Sequence, residues 1–115
     1  MDLTSKKCTP CEQGVGRLDP DSAAEAVRQL DGWLVRDGAT RLHKHFRFVD
    51  FLAAMRFVNA MAEVAEGEGH HPDFAVHYAD VDVTVWTHAV AGLSENDFIL
   101  AAKIDARPES RGVMH

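Results

Sequence analysis

A chain of 115 residues with 46% hydrophobic and 26% charged composition is the size of one small domain around one core, and a second domain is not expected. The net charge of −6 is spread along the sequence, and no Lys/Arg-rich run is present to neutralise a row of phosphates, so non-specific nucleic-acid binding is a poor fit. Apolar runs are short and broken by charge, none nearing the roughly 20 residues needed to cross a bilayer. The lysines of "MDLTSKKCTPC" have no apolar stretch behind them to form a secretory signal, and a soluble, cytoplasmic protein is expected.

Residues 1–18 read as a partly ordered amino-terminal arm. It holds both cysteines, Cys8 and Cys11, in "CTPC". One CxxC pair is half a zinc site or a redox dithiol, but the other half and a preceding thioredoxin-like strand are missing, so two reduced thiols are expected. A single domain is expected over 19–107. It opens with a short amphipathic helix in "DPDSAAEAVRQLDGW", where Asp19 is the N-cap, Pro20 the first helical residue and Gly32 the stop; Ala23, Val27 and Leu30 share its apolar face. Asp37-Gly38 then suits a tight hairpin turn. On the second strand of that hairpin Leu42, Phe46 and Phe48 face one way, while Arg41, His43, His45 and Arg47 form a basic, solvated face.

Asp50 caps a long helix through "FLAAMRFVNAMAEVAEGEG". Leu52, Met55, Val58, Met61, Ala62 and Ala65 form its core stripe, widened by Phe51 and Phe57, and Gly67 and Gly69 end it. The period then changes to two: Phe74, Val76 and Tyr78 alternate, and Val81, Val83, Val85 and Thr87 oppose Asp82, Thr84, Trp86 and His88, giving two strands joined at Ala79-Asp80. Ser94 and Asp97 make a capping-box start to a last helix, "ENDFILAAKIDA", closed before Pro108. Residues 108–115 read as a mobile tail. The expected fold is α+β: a four-stranded antiparallel sheet with three helices on one face, in the order α-β-β-α-β-β-α.

The chemistry-bearing stretch is "EGEGHHPDF", residues 66 to 74. His70 and His71 lie just beyond the carboxyl end of the long helix, where the dipole favours positive charge. Neighbours in extended backbone point opposite ways, so the pair is better placed to flank a flat ligand than to chelate one ion. A hydrogen-bonded turn before Pro72 is the plain alternative. His88 ends the last strand, and His43, His45, His77 and His115 read as structural. A zinc site enlisting His70, His71, His88 and Glu66 has no matching motif spacing, and no metal is expected.

An acidic residue, three residues, His-His-Pro, an aromatic, a strand histidine and a later Asp stand here as Glu66, His70, His71, Pro72, Tyr78, His88 and Asp97. With Gly32-Trp33, the aromatic run from Phe46 to Phe51, and "THAVAGLSENDF", this pattern resembles the pterin-4a-carbinolamine dehydratases from Leu30 to about Asp105. The resemblance implies dehydration of 4a-hydroxytetrahydropterin to quinonoid dihydropterin, with no cofactor, in support of tetrahydropterin recycling for an aromatic amino acid hydroxylase. It implies His70, His71 and His88 as catalytic, with Thr87, Ala89 and Val90 lining the pterin beside Pro72. Glu66 and Asp97 would orient or tune the histidines. Trp33 is a candidate for the pocket edge, with ordinary core as the alternative. Where animal members have an Asp before the His pair and a Cys after the strand histidine, this chain has Gly69 and Val90. The resemblance also implies a homodimer or homotetramer, and leaves two other readings: a non-catalytic dimerisation or coactivator module, and a dehydratase on another pterin route.

Overall fold

Asp19 starts the first helix as expected. It is extended (φ −78°, ψ 169°), and its carboxylate accepts the Ser22 N–H at 2.7 Å. The computed structural model describes residues 3–6, 8 and 16–111. Helix α1 (Pro20–Val27) ends well before Gly32. The N–H groups of Arg28, Gln29 and Leu30 bond to carbonyls three residues back, so the helix runs out through tightened turns that use up its last acceptors.

Strands β1 (Leu34–Arg36) and β2 (Arg41–Arg47) follow. The register Arg36↔Arg41 leaves a four-residue loop rather than a two-residue turn, because Ala39 joins Asp37 and Gly38 at positive φ (66°, 54° and 64°). Helix α2 (Phe51–Glu68) is capped by Asp50, whose side chain accepts the Ala53 N–H at 2.8 Å. Strands β3 (Asp73–His77) and β4 (Asp80–Val85) turn at Tyr78-Ala79, one residue earlier than expected, with Tyr78 at φ 53°. Helix α3 (Glu95–Ala106) completes the order α-β-β-α-β-β-α.

The sheet order is β1-β2-β4-β3, antiparallel throughout, so the fold is α+β as the alternating strands imply. Leu42, Phe46 and Phe48 of the β2 segment and Val81, Val83 and Val85 of β4 are buried on one face, in one cluster with residues of α2 and α3. The Phe57 ring lies 4.5 Å from that of Phe46 and 5.2 Å from that of Phe48. Here α2 departs in part from the expected stripe: Phe57, Val58, Met61 and Ala65 are buried as expected, and Phe51, Leu52 and Ala62 are not. Its buried residues are Ala54, Phe57, Val58, Ala60, Met61 and Ala65, whereas Leu52 is 64% and Phe51 47% exposed, and Ala62 is exposed too. Positions 54, 57/58, 61 and 65 are an equally helical set, and seating the large Phe57 ring among the strand aromatics selects that rotation.

At the ends, Leu3–Ser5 form a 3-10 turn that buries Leu3, and Leu18 N–H bonds to Leu93 O at 2.8 Å. Of the expected tail, Pro108–Ser110 form a 3-10 turn, fastened by the Ser110 hydroxyl to Asp105 O and Arg107 O at 2.9 and 2.8 Å; residues 112–115 and Cys11 lie outside the described residues. Among the described residues no helix is long and apolar enough to cross a membrane.

Candidate active site

Gly69 closes α2 in the left-handed conformation (φ 66°), and the N–H of His70 bonds back to Ala65 O at 3.2 Å. This reversal suits glycine, since a Cβ disfavours positive φ. It throws the chain into the extended His70-His71-Pro72 segment that leads into β3. The two histidines diverge accordingly. His70 turns inward, its side chain 14% exposed, with Nε2 2.6 Å from Asp97 Oδ1; His71 turns outward, 61% exposed, with Nε2 2.8 Å from Glu66 Oε2. With the carboxylate as acceptor, each Nε2 is the donor, and among the described residues neither Nδ1 has a hydrogen-bond partner.

Asp97 is fully buried at the third position of α3. Its Oδ2 accepts the Ser94 N–H at 2.9 Å and the Thr87 hydroxyl at 2.8 Å, which leaves Oδ1 for His70. The capping residue of one helix thus orients the imidazole at the end of another. Thr87 also fixes the end of β4: its N–H bonds to Gly92 O at 2.8 Å, and a 3-10 turn, His88–Val90, fills the loop between them, closed by Ala91 at φ 52°. His88 is the head of that turn and is exposed.

These elements surround a pocket of about 660 Å³ that brings together His70, His71, His88, Thr87 and Ala89 of the residues expected from sequence. Glu66 and Asp97 stand behind His71 and His70 rather than in the wall. Val90 is buried beneath its turn, and Pro72 leads the chain away into β3. Trp33 is elsewhere. It is only 4% exposed in the core, its indole N–H donates to Asp105 Oδ2 at 2.9 Å, and its ring packs edge-on against Phe46, so the ordinary-core alternative holds and the pocket-edge reading does not.

Cys8, Glu68, Trp86 and Asn96 also line the pocket, and none was expected there from sequence. Glu68 lies in the same "EGEGHH" stretch and could have been flagged. Its carboxylate is 2.6 Å from Lys103 Nζ and accepts the Cys8 N–H at 2.9 Å. Cys8 was read from sequence only as one of two reduced thiols of the amino-terminal arm. Its thiol donates to Asn96 O at 3.5 Å, and burial, with Glu68 alongside, pushes it up to about 12, so it is a protonated wall group and not a nucleophile at neutral pH. Among the described residues no group of three or more His, Cys, Asp or Glu converges to hold a metal ion.

Two imidazoles backed by carboxylates and a third beside them can donate and accept protons from more than one side of a flat molecule. The family model described as pterin 4 alpha carbinolamine dehydratase matches residues 16–107. A provisionally named pterin-4-alpha-carbinolamine dehydratase of Halorhodospira halophila is 44% identical over 106 residues, spanning 92% of this chain and 97% of the relative. One of the same name from Dechloromonas aromatica is 50% identical over 103 residues, 90% of each chain. The crystal structure of a transcriptional coactivator/pterin dehydratase from Brucella melitensis superposes with a TM-score of 0.76 at 38% identity, over 83% of this chain and 99% of that one. A pterin dehydratase-like RuBisCO assembly factor of the alpha-carboxysome shares the fold, with a TM-score of 0.60 at 23% identity over 71% of this chain and 93% of its own. With the matched segment spanning most of the sequence and every element of the sheet, the chain belongs to the pterin 4 alpha carbinolamine dehydratase family, a family of hydro-lyases.

Proposed function

We propose that the chain dehydrates 4a-hydroxytetrahydropterin by histidine acid/base catalysis. The observation that carries the reading is the convergence of His70, His71 and His88 on one pocket, two of them with Nε2 committed to a carboxylate. The N5 lone pair forms the C4a=N5 bond as the C4a–O bond breaks. The departing oxygen takes a proton from an imidazolium and leaves as water, while a neutral imidazole removes the N5 proton. Charge and protons balance without a redox step, and imidazole titrates near the working pH for both transfers. Thr87 and Ala89 line the bound bicycle, and Glu66 and Asp97 hold their histidines in one tautomer. The product, quinonoid dihydropterin, is returned to tetrahydropterin by a reductase, which links the chain to an aromatic amino acid hydroxylase. A second copy of the chain is its proposed protein partner.

The test is the rate at which freshly generated 4a-hydroxytetrahydropterin disappears. Wild-type protein accelerates that loss, and His71→Ala, an exposed position, lowers the rate by on the order of a hundredfold with the fold intact. Wild-type protein no faster than buffer would remove the enzyme reading and leave a binding module.

A further inference from the structure

Two of the three pocket imidazoles are held by carboxylates, and the third is not. Among the described residues the His88 ring has no hydrogen-bond partner. Its contact is the indole of Trp86, with ring centroids 3.8 Å apart and planes inclined by 23°. We propose that Trp86 is the positioning residue of His88, doing by stacking what Asp97 does for His70 and Glu66 for His71; the inference rests on the dehydratase reading above.

The indole is itself held by side chains of β2 and β3. The register Leu42↔Val85 puts Arg41 opposite Trp86 one step further on, and the Arg41 guanidinium carbon lies 3.6 Å from the Trp86 ring centroid. Groups centred 3.6 and 3.8 Å from one ring cannot share a face, so the indole is sandwiched between guanidinium and imidazole. Its edge is tied as well: the indole N–H donates at 3.2 Å to Asp73 Oδ2, from the first residue of β3. Arg41 and Asp73 therefore fix the plane on which the imidazole rests.

His88 needs such a plane. It heads a short 3-10 turn and is exposed, where an unheld side chain spreads over its rotamers. A stacked partner differs from a carboxylate in one chemical respect: it occupies neither ring nitrogen. Among the described residues neither Nδ1 nor Nε2 of His88 is engaged, whereas His70 and His71 each commit Nε2 to a carboxylate, so this imidazole can take a proton at one nitrogen and release one at the other. Trp86 lines the same pocket, which places the stack at the reacting end of the sheet.

The experiment compares Trp86→Ala and Trp86→Phe, each in wild-type and in His88→Ala protein. Trp86→Ala is expected to lower kcat by on the order of ten- to a hundredfold with little change in KM, because a displaced imidazole weakens the transition state more than binding. Trp86→Phe restores most of the loss, which separates stacking from a folding defect. In His88→Ala protein the Trp86→Ala change costs nothing further. A rise in KM with kcat intact, or an equal loss with and without His88, overturns the inference. A second arm needs no activity. The sequence has two tryptophans, so Trp33→Phe leaves Trp86 as the sole indole, and its fluorescence should brighten when His88→Ala removes the quenching imidazole. Unchanged emission overturns the stack. Quenching in a protein without dehydratase activity overturns the reaction assignment instead, and with it the catalytic purpose of the stack.

Discussion

Asp97 is asked for three acceptor contacts at once, and its chemistry allows all three. Its two oxygens take the Ser94 N–H, the Thr87 hydroxyl and His70 Nε2 in a site with no solvent. An amide of the same shape has one accepting oxygen and one donating nitrogen, so Asp97→Asn turns a donor toward a donor on one side. Leaving a buried group unsatisfied costs about 1–3 kcal/mol, and the misaligned His70 lowers turnover as well. His70→Ala lowers turnover too: it keeps the Ser94 N–H and the Thr87 hydroxyl on Oδ2 but strips Oδ1 of its partner. Asp97→Asn and His70→Ala should therefore each lower both the rate and the urea midpoint, because each leaves a buried polar atom without its partner. Equal midpoints for Asp97→Asn and wild type would show that the network is not what holds α3. The Ser94-x-x-Asp97 spacing made the cap legible, because capping is local. The pairing with His70 crosses two strands and a turn, and the family resemblance implied only that Asp97 orients or tunes a histidine, without saying which. Trp86 was not legible at all: an outward residue on an alternating strand reads as solvated, and nothing local shows that His88 folds back onto it.

At the level of elements, the strand pairing changes what the β2 face means. Arg41, His43, His45 and Arg47 read from sequence as a basic, solvated face, but β4 lies antiparallel beside it and brings two acids. His45 Nδ1 is 2.9 Å from Asp82 Oδ1 and its Nε2 is 2.9 Å from Asp80 Oδ1, while His43 Nε2 is 3.2 Å from Asp82 Oδ1. Arg47 stands 3.9 Å from Asp80, and His77 of β3 is in register with Asp80 from the other side. A histidine facing a carboxylate at each nitrogen is favoured as the cation: the hydrogen bond to Asp82, with that to Asp80 and both charges, raises His45 above its ordinary 6.5, and the hydrogen bond from His45 holds Asp82 below its ordinary 3.8. The raised histidine stabilises the fold fully below pH 6.5, and that part is lost as pH rises through its folded value. The lowered aspartate stabilises fully above pH 3.8, and that part is lost as pH falls through its folded value. Between those limits both act together. Urea midpoints measured across pH should hold their level inside that window and fall on its alkaline side, and His45→Gln should flatten the alkaline limb. An identical alkaline limb in wild type and His45→Gln would mean that the pair is screened to nothing, as exposed pairs often are.

For the whole molecule, α2 separates what folds the chain from what it presents outward. The order of elements and the antiparallel sheet were legible because each strand's period-two pattern and each cap is written in adjacent residues. The rotation of α2 was not, since two overlapping stripes both have helical spacing and only the volume of Phe57 against Phe46 and Phe48 chooses between them. The two stripes now make opposite predictions. Phe57 is fully buried at the centre of the aromatic cluster, so Phe57→Ala should cost about 3–5 kcal/mol. That is a large part of the roughly 5–15 kcal/mol that holds a domain of this size, and the urea midpoint should fall at every protein concentration. Val49, just before the Asp50 cap, and Phe51 and Leu52, the first two residues of the same helix, are 72%, 47% and 64% exposed. In a lone chain, replacing Leu52 should change stability by no more than about 0.5 kcal/mol. In the proposed homo-oligomer the apolar start of α2 is surface to be covered, so Leu52→Asp should lower the sedimenting mass toward one chain and abolish any dependence of the midpoint on protein concentration. Wild-type protein that sediments as a single chain at all concentrations, with Leu52→Asp indistinguishable from it, would leave the patch exposed and remove the second copy as its partner.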